Sequence, residues 1–191
     1  GRRRVDAAFV GGLWPEVALV RLHRRALLER LAGLCRRRGW ACVVGESLPE
    51  ARFRQLLLDT KIFISPFGLG EFSHKDEEAV FSGAVLMKPM AAILEATMPI
   101  YTPNVTCLDV RPDWADLEDV LAAALAAPER LQQIQAKAHE IAQHFRDLDT
   151  AIQQPDVMAK YVGLVRRAAD IVRGQEKSHA RNVGGKSSIT E

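Results

Sequence analysis

The segment that decides the fold runs from Ile62 to Met90 and reads IFISPFGLGEFSHKDEEAVFSGAVLMKPM. Its first three residues are apolar, with a lysine before them and a proline shortly after, a pattern typical of a short strand buried in a parallel sheet. It ends with a second apolar run, Ala84–Met87, which predicts another strand. Between the two lie a glycine-rich stretch and Ser73, a good N-cap, followed by acidic residues that favour a helix start.

The rest of the chain repeats this alternation on both sides of the segment. Apolar runs predict strands over 5–10, 40–44, 62–64, 84–87 and 104–109. Helical spacing and capping residues predict helices over 17–37, 49–58, from 73 onward, 116–127, 128–146 and 155–173. Strands that alternate with helices predict an α/β fold, a Rossmann-like parallel sheet with helices on both faces and further C-terminal helices.

Length and composition predict one domain with a trailing arm. The chain has 191 residues, 48% hydrophobic and 26% charged, as in ordinary globular proteins. We expect a Rossmann-like domain over 1–173 and a disordered tail over 174–191, where the sequence is polar and lacks periodicity. The net charge of +2 and the few aromatics argue against a nucleic-acid partner, and no apolar run predicts a transmembrane segment.

Three cysteines, Cys35, Cys42 and Cys107, match no disulfide framework or zinc motif by their number and spacing. Cys42 and Cys107 fall in predicted strands, where a thiol usually serves as a small core residue. This pattern favours a reducing compartment and predicts a cytoplasmic protein.

The residues that could carry chemistry lie in the central segment: Gly68, Gly70, Glu71, Ser73, Lys75 and Glu78. The glycines allow the backbone to approach a ligand at the carboxyl edge of the sheet, where free N–H groups and the helix start favour phosphates. Lys75, in the first helical turn, suits a diphosphate, and Ser73 either caps the helix or donates to a phosphate. Glu78 suits the hydroxyls of a ribose, and Glu71 those of a sugar. Capped helices after glycine turns also occur without any ligand.

The stretch Ser65–Pro89 resembles the donor-binding segment of GT-B glycosyltransferases of the group 1 and exostosin-like kind. The residues that carry this resemblance are Pro66-Phe67-Gly68-Leu69-Gly70, Ser73-His74-Lys75, Glu78-Ala79, Gly83 and the strand that ends at Pro89. The order of elements from Val5 to Arg173 is similar to the C-terminal, Rossmann-like half of such enzymes.

The resemblance implies a glycosyltransferase that binds a nucleotide-diphosphate sugar on this turn. Ser73 and Lys75 would face the diphosphate, Glu78 the ribose and Glu71 the sugar. Lys75 and Glu71 would be the catalytic residues. Gly11 and Gly12, after the first strand, would let the chain pass close to the phosphates. The lysine and the helix end would supply the positive charge, so we expect no cofactor and no obligatory metal.

Three departures from the pattern bear on this assignment. Lys75 stands where the exostosin-like pattern has arginine, which keeps the charge but loses a bidentate fork. Glu71 and Glu78 are seven positions apart instead of eight. The chain has room for only one of the two GT-B domains, so we expect an acceptor-binding N-terminal half to be missing and this chain alone to be inactive without it. The acceptor is a glycan, a lipid or a protein.

The main alternative is a non-catalytic Rossmann-like remnant or interaction domain, which the short length favours. Nucleotide binding discriminates the two hypotheses. A phosphate-ester hydrolase is a weaker alternative, because no nucleophile follows a predicted strand.

Overall fold

The computed structural model describes residues 3–68, 73–96 and 98–146, together with Asp156 and Ala159. The chain divides into two units, Gly1–Arg146 and Asp147–Glu191. The strands and helices set out next belong to the first unit. The predicted helix over 155–173 lies outside the described residues apart from those two positions, and so does the predicted tail.

Strands and helices alternate through the first unit. The strands are β1 (Val5–Val10), β2 (Cys42–Gly45), β3 (Thr60–Ile64), β4 (Val85–Pro89) and β5 (Cys107–Val110). The helices are α1 (Ala18–Arg38), α2 (Glu50–Asp59), α3 (His74–Phe81), α4 (Leu117–Ala126) and α5 (Pro128–Arg146), with a 3-10 turn at Ala91–Ile93. The predicted α/β, Rossmann-like fold is confirmed.

The five strands form one parallel sheet in the order β2-β1-β3-β4-β5. The chain passes from β1 outward to β2 and then crosses back to β3 on the other side of β1. The strand order therefore reverses between β1 and β3, and their carboxyl ends lie side by side at one edge of the sheet. In open α/β sheets, such a switch point is where ligands bind.

Two apolar layers cover the sheet, because its strands are hydrophobic on both faces. On one face, Phe9, Ile64 and Met87 pack with the buried side chains of α1 and α4. On the other face, Phe63 and Leu86 pack with those of α2 and α3. Helix α5 contributes its first half to one layer and its second half to the other. The two layers hold the sheet, and with it the carboxyl ends of the strands, in place.

Several boundaries differ from those predicted, for local reasons. Helix α1 begins at Ala18 because Trp14 adopts a left-handed conformation (φ 52°) and its carbonyl accepts from Val17 N–H, which places the residues between them in a turn. Strand β5 begins at Cys107 instead of Asn104, which itself has a φ of 59° in a tight turn. After Met90 the chain makes the single 3-10 turn at Ala91–Ile93.

The expectation that the cysteines form no disulfide is wrong. Cys35, near the end of α1, is bonded to Cys42, the first residue of β2, with a sulfur–sulfur distance of 2.00 Å. Helix α1 ends at Gly39 in the left-handed conformation, so the chain turns back and the two thiols meet. Cys107 is free and buried, as expected of a core thiol. Disulfides persist mainly in oxidising compartments, so this bond weighs against the cytoplasmic location, which stays a prediction.

Among the residues that the structure describes, no helix combines the length and the apolar character needed to cross a membrane.

Candidate functional site

The candidate site lies at the switch point of the sheet. Strand β1 ends at Val10 and is followed by Gly11 and Gly12, while the neighbouring β3 ends at Ile64 and is followed by the loop that reaches Gly68. The first turn of α3 lies on the far side of the undescribed residues 69–72. The predicted glycine positions on both strands are therefore brought to one edge, as far as the described residues extend.

Arg24 joins the two loops. It projects from the first half of α1, is half-buried, and donates from Nη1 to the Gly12 carbonyl at 2.5 Å and from Nε to the Phe67 carbonyl at 3.1 Å. A guanidinium has five N–H donors in a planar fork, so the two bonds leave further donors at this edge of the sheet.

Lys75 reaches the same place from the opposite face of the sheet. Its ammonium donates to the Val10 carbonyl at 2.9 Å and lies 4.9 Å from the centre of the Phe53 ring. The side chain is half-buried. An ammonium has three protons, and the bond to Val10 uses one of them. Lys75 is therefore held at the end of β1 with donors to spare.

The start of α3 is arranged as the sequence predicts. Ser73 is the N-cap, and its hydroxyl oxygen accepts from the backbone N–H of Lys75 at 3.3 Å. The hydroxyl therefore caps the helix, and its own proton remains to be donated. Glu78 is half-buried one turn after Lys75, and its charge acts on the Lys75 ammonium. Its role toward a ribose stays a prediction.

The glycines of the site fall into two groups. A Cβ at Gly11 would lie 3.3 Å from the Phe9 ring and 3.5 Å from the Arg24 guanidinium, and a Cβ at Gly68 would lie 3.4 Å from that guanidinium, so both glycines adjoin the cation. Gly12 is exposed, and a Cβ there would meet only the Trp14 ring. Gly70 and Glu71 lie outside the described residues, so their predicted roles are untested.

The site concentrates positive charge in a partly desolvated place. Burial lowers the pKa of Lys75, and the neighbouring Arg24 cation lowers it further, while Glu78 opposes the shift. Burial also lowers the pKa of Arg24. An anion that binds between two mutually repelling cations stabilises the charged form of both.

An aromatic stack supports the β3 loop. The His23 ring lies 4.7 Å from the Trp114 ring and 5.9 Å from that of Phe67, measured between centroids, and both pairs are stacked. His23 Nε2 lies 2.8 Å from the Pro112 carbonyl, and burial lowers the pKa of the imidazole. A neutral ring with this partner donates to the carbonyl. His23 is therefore a packing residue.

A buried ion pair lies behind the first turn of α3. Lys88, on β4, has its ammonium 2.8 Å from Asp76 Oδ2, and the Tyr101 hydroxyl donates to the same oxygen at 2.7 Å. Both charged side chains are fully buried. Within the described part of the chain, no group of three or more His, Cys, Asp or Glu residues is placed to hold a metal ion.

Sequence reasoning missed Arg24, Asp76 and Lys88, although each carries a recognisable signal. Arg24 lies four residues after Val20 and three before Leu27, on the buried stripe of α1. Asp76 similarly shares the buried side of α3, and Lys88 interrupts an apolar strand. A charged residue at an apolar position of the pattern is the signal that would have found all three.

Several solved structures have this fold, at low sequence identity. Anabaena HepE in complex with UDP and glucose matches with a TM-score of 0.53 and 13% identity, over 84% of this chain and 48% of HepE. The pneumococcal O-GlcNAc transferase GtfA in complex with UDP and GlcNAc matches with a TM-score of 0.51 and 15% identity, over 84% of this chain and 37% of GtfA. TarM matches with a TM-score of 0.51 and 11% identity, over 85% of this chain and 35% of TarM.

These identities establish the fold alone. The chain shares the Rossmann-like fold of these structures, and it spans about half the length of HepE. No protein-family model matches the sequence, and no curated protein matches it either.

Proposed function

We propose that this chain binds a nucleoside-diphosphate sugar at the switch point and transfers its glycosyl group as the donor half of a two-domain enzyme. The observation that carries the proposal is the convergence of Arg24 and Lys75 on the loop after β1, one from each face of the sheet. A diphosphate bound at that edge would pair with both cations through charge-assisted hydrogen bonds.

The resemblance of Ser65–Pro89 to group 1 and exostosin-like enzymes and the fold of GtfA support the same proposal from independent directions. In the complexes of HepE and GtfA the bound nucleotide is UDP, so a uridine nucleotide is the first ligand to test. This chain would be the C-terminal donor half of a GT-B enzyme, and a glycan, lipid or protein acceptor would bind to a further domain. The 48% of HepE that the match covers supports a chain of about half such an enzyme.

The described residues would act mainly on the leaving group. During transfer the bond between the anomeric carbon and the diphosphate oxygen breaks, and an acceptor oxygen bonds to that carbon and gives up its proton. Lys75, Arg24 and the Ser73 hydroxyl stabilise the charge that develops on the diphosphate. Glu78 binds the ribose and Glu71 the sugar, and the base for the acceptor proton comes from outside the described residues.

Arg24 compensates for one departure from the resemblance. The exostosin-like pattern has arginine where this chain has Lys75, and a lysine supplies a point charge without a fork. Arg24 brings a guanidinium to the same edge from α1, so the pair provides both kinds of cation.

The experiment is a panel of melting temperatures with UDP, GDP, ADP and their sugars, together with an assay for slow release of the sugar to water. We expect one nucleoside diphosphate to raise the melting temperature in proportion to the logarithm of its concentration. If none of the diphosphates raises it, the proposal fails and the non-catalytic alternative stands. Binding without sugar release indicates a donor half that requires its acceptor domain.

A further inference from the structure

The buried ion pair of Asp76 and Lys88 occupies a place where an apolar pair would serve the fold. Both side chains lie in the layer between the sheet and α3, and neither is exposed to solvent. Removing two charges from water is costly, and apolar residues of similar volume often stabilise a core equally well. Stabilisation of the fold therefore does not by itself explain why charged residues occupy these two buried positions.

The Asp76 carboxylate is held from one side. Oδ2 accepts from Lys88 and from Tyr101, whereas Oδ1 is buried and has no hydrogen-bond partner among the residues that the structure describes. Burial and the adjacent carboxylate raise the pKa of Tyr101, so its hydroxyl remains a neutral donor. The two bonds at Oδ2 thus fix where the carboxylate, and the turn that carries it, can lie.

That turn is the one that carries the cation of the site. Asp76 follows Lys75 directly, and its backbone N–H donates to the carbonyl of the N-cap Ser73 at 2.8 Å. A shift of Asp76 therefore moves both the capping hydroxyl and the start of the lysine side chain.

The same cluster touches the other half of the site. The Lys88 ammonium lies 5.7 Å from the centre of the Phe67 ring, and the Phe67 carbonyl accepts from Arg24. The contacts thus run from β1 through Arg24, the β3 loop, Lys88 and α3, and return to β1 through Lys75.

We infer that Asp76 is a positioning residue that, through its bonds to Lys88 and Tyr101, sets the distance between the Lys75 and Arg24 cations and thereby the affinity for a diphosphate. This inference rests on the proposed function. Asp76 is buried behind the helix turn, so it acts through Lys75 and not by touching the ligand.

The test uses the double variant Asp76→Asn/Lys88→Met, in which both charges are removed and both shapes are nearly kept. The single variant Lys88→Met would leave the buried Asp76 carboxylate without its cation, whereas the double variant removes both charges. Affinities for UDP and for uridine are measured on the same preparations, with the melting temperature of the free protein as the control for folding.

We expect the double variant to melt close to the wild type and to lose about tenfold in affinity for UDP, as residues that orient a binding group do, with little change for uridine. An unchanged ratio of the UDP and uridine affinities would overturn the inference. This includes an equal loss for both ligands, because general loosening of the fold weakens the binding of both.

A second variant covers the case in which the double variant does not fold. Tyr101→Phe removes one bond to Asp76 Oδ2 and leaves the ion pair in place, and we expect it to narrow the preference for UDP over uridine severalfold. If the Tyr101→Phe variant prefers UDP over uridine as strongly as the wild type does, the inference is overturned. If the wild-type chain binds no nucleoside diphosphate at all, the proposed function itself fails, which is a distinct result.

Discussion

The ammonium of Lys75 donates a hydrogen bond to the carbonyl of Val10 at 2.9 Å. This bond joins the first turn of α3 to the last residue of β1, across the point where the strand order reverses. Arg24 is bonded to Gly12, two residues further along the same loop. Backbone carbonyls at the end of β1 and in the loop after it therefore place both cations.

Replacement of Lys75 by alanine should weaken UDP binding. A hydrogen bond to a charged group contributes about 1.5–3 kcal/mol, so we expect the affinity to fall by roughly 10- to 100-fold in a calorimetric titration. Lys137→Ala is the matched control, because Lys137 is an exposed lysine of α5 that pairs with Glu140. An equal affinity in the Lys75 and Lys137 variants would remove Lys75 from the site.

Arg24→Lys should separate the charge of Arg24 from its geometry. A lysine keeps the positive charge but cannot hold the Gly12 and Phe67 carbonyls together with the fork of a guanidinium. We expect about a tenfold loss of UDP affinity and a lower melting temperature.

The control for Arg24 is Arg25→Lys. Arg25 lies beside Arg24 on α1 but is exposed and pairs with Glu29, an interaction of about 0.3–0.5 kcal/mol. Neither the UDP affinity nor the melting temperature should therefore change in this variant. Wild-type binding by the Arg24 variant would mean that charge alone suffices.

The affinity for UDP should fall at alkaline pH because of Lys75. Burial and the Arg24 cation lower the pKa of Lys75, so the ammonium loses its proton below the value of about 10.4 for an ordinary lysine. The charged form binds the diphosphate, and the affinity should therefore decline as the pH rises through the lowered pKa.

Lys75→Arg provides the comparison, since arginine stays charged and any titration of UDP itself is common to both proteins. The wild type should lose affinity relative to this variant as the pH rises. Its free energy of unfolding should rise relative to the variant over the same interval, because the unfolded chain then holds the proton that the folded chain has released. Parallel pH profiles would contradict the assignment.

The fold was largely predictable, because it follows from periodicities that the chain displays openly. The apolar runs of β1, β3 and β4 and the Ser73 cap could be read directly, and the bounds of β1 and the first residue of α5 were predicted as observed. The start of β5 was not, since the left-handed conformation of Asn104 depends on the turn around it.

The site was only partly predictable. Lys75 and Ser73 stand in a recognisable local pattern, whereas Arg24 reaches them from another helix. The Cys35–Cys42 bond likewise depends on the chain reversal at Gly39, which brings together two thiols that the cysteine count alone does not pair. Contacts between distant segments form through tertiary packing, and the order of residues does not reveal them.

Reduction of the disulfide should lower the free energy of unfolding by about 2 kcal/mol, the value expected for a short closed loop. Denaturant unfolding with and without a reductant measures this, and Cys107→Ala is the control that keeps the bond. Burial and the nearby Asp109 carboxylate raise the pKa of Cys107 to about 12, so its thiol should react only after unfolding. One reactive thiol in denaturant is expected, and three would contradict the bond.

The most direct test of the central claim is a calorimetric titration of the wild-type chain with UDP and, in parallel, with uridine. The claim is that the switch point binds a diphosphate through Arg24 and Lys75. It predicts that UDP binds at least about tenfold more tightly than uridine, the scale of one charge-assisted hydrogen bond. Equal affinities, or no binding of UDP, would contradict it.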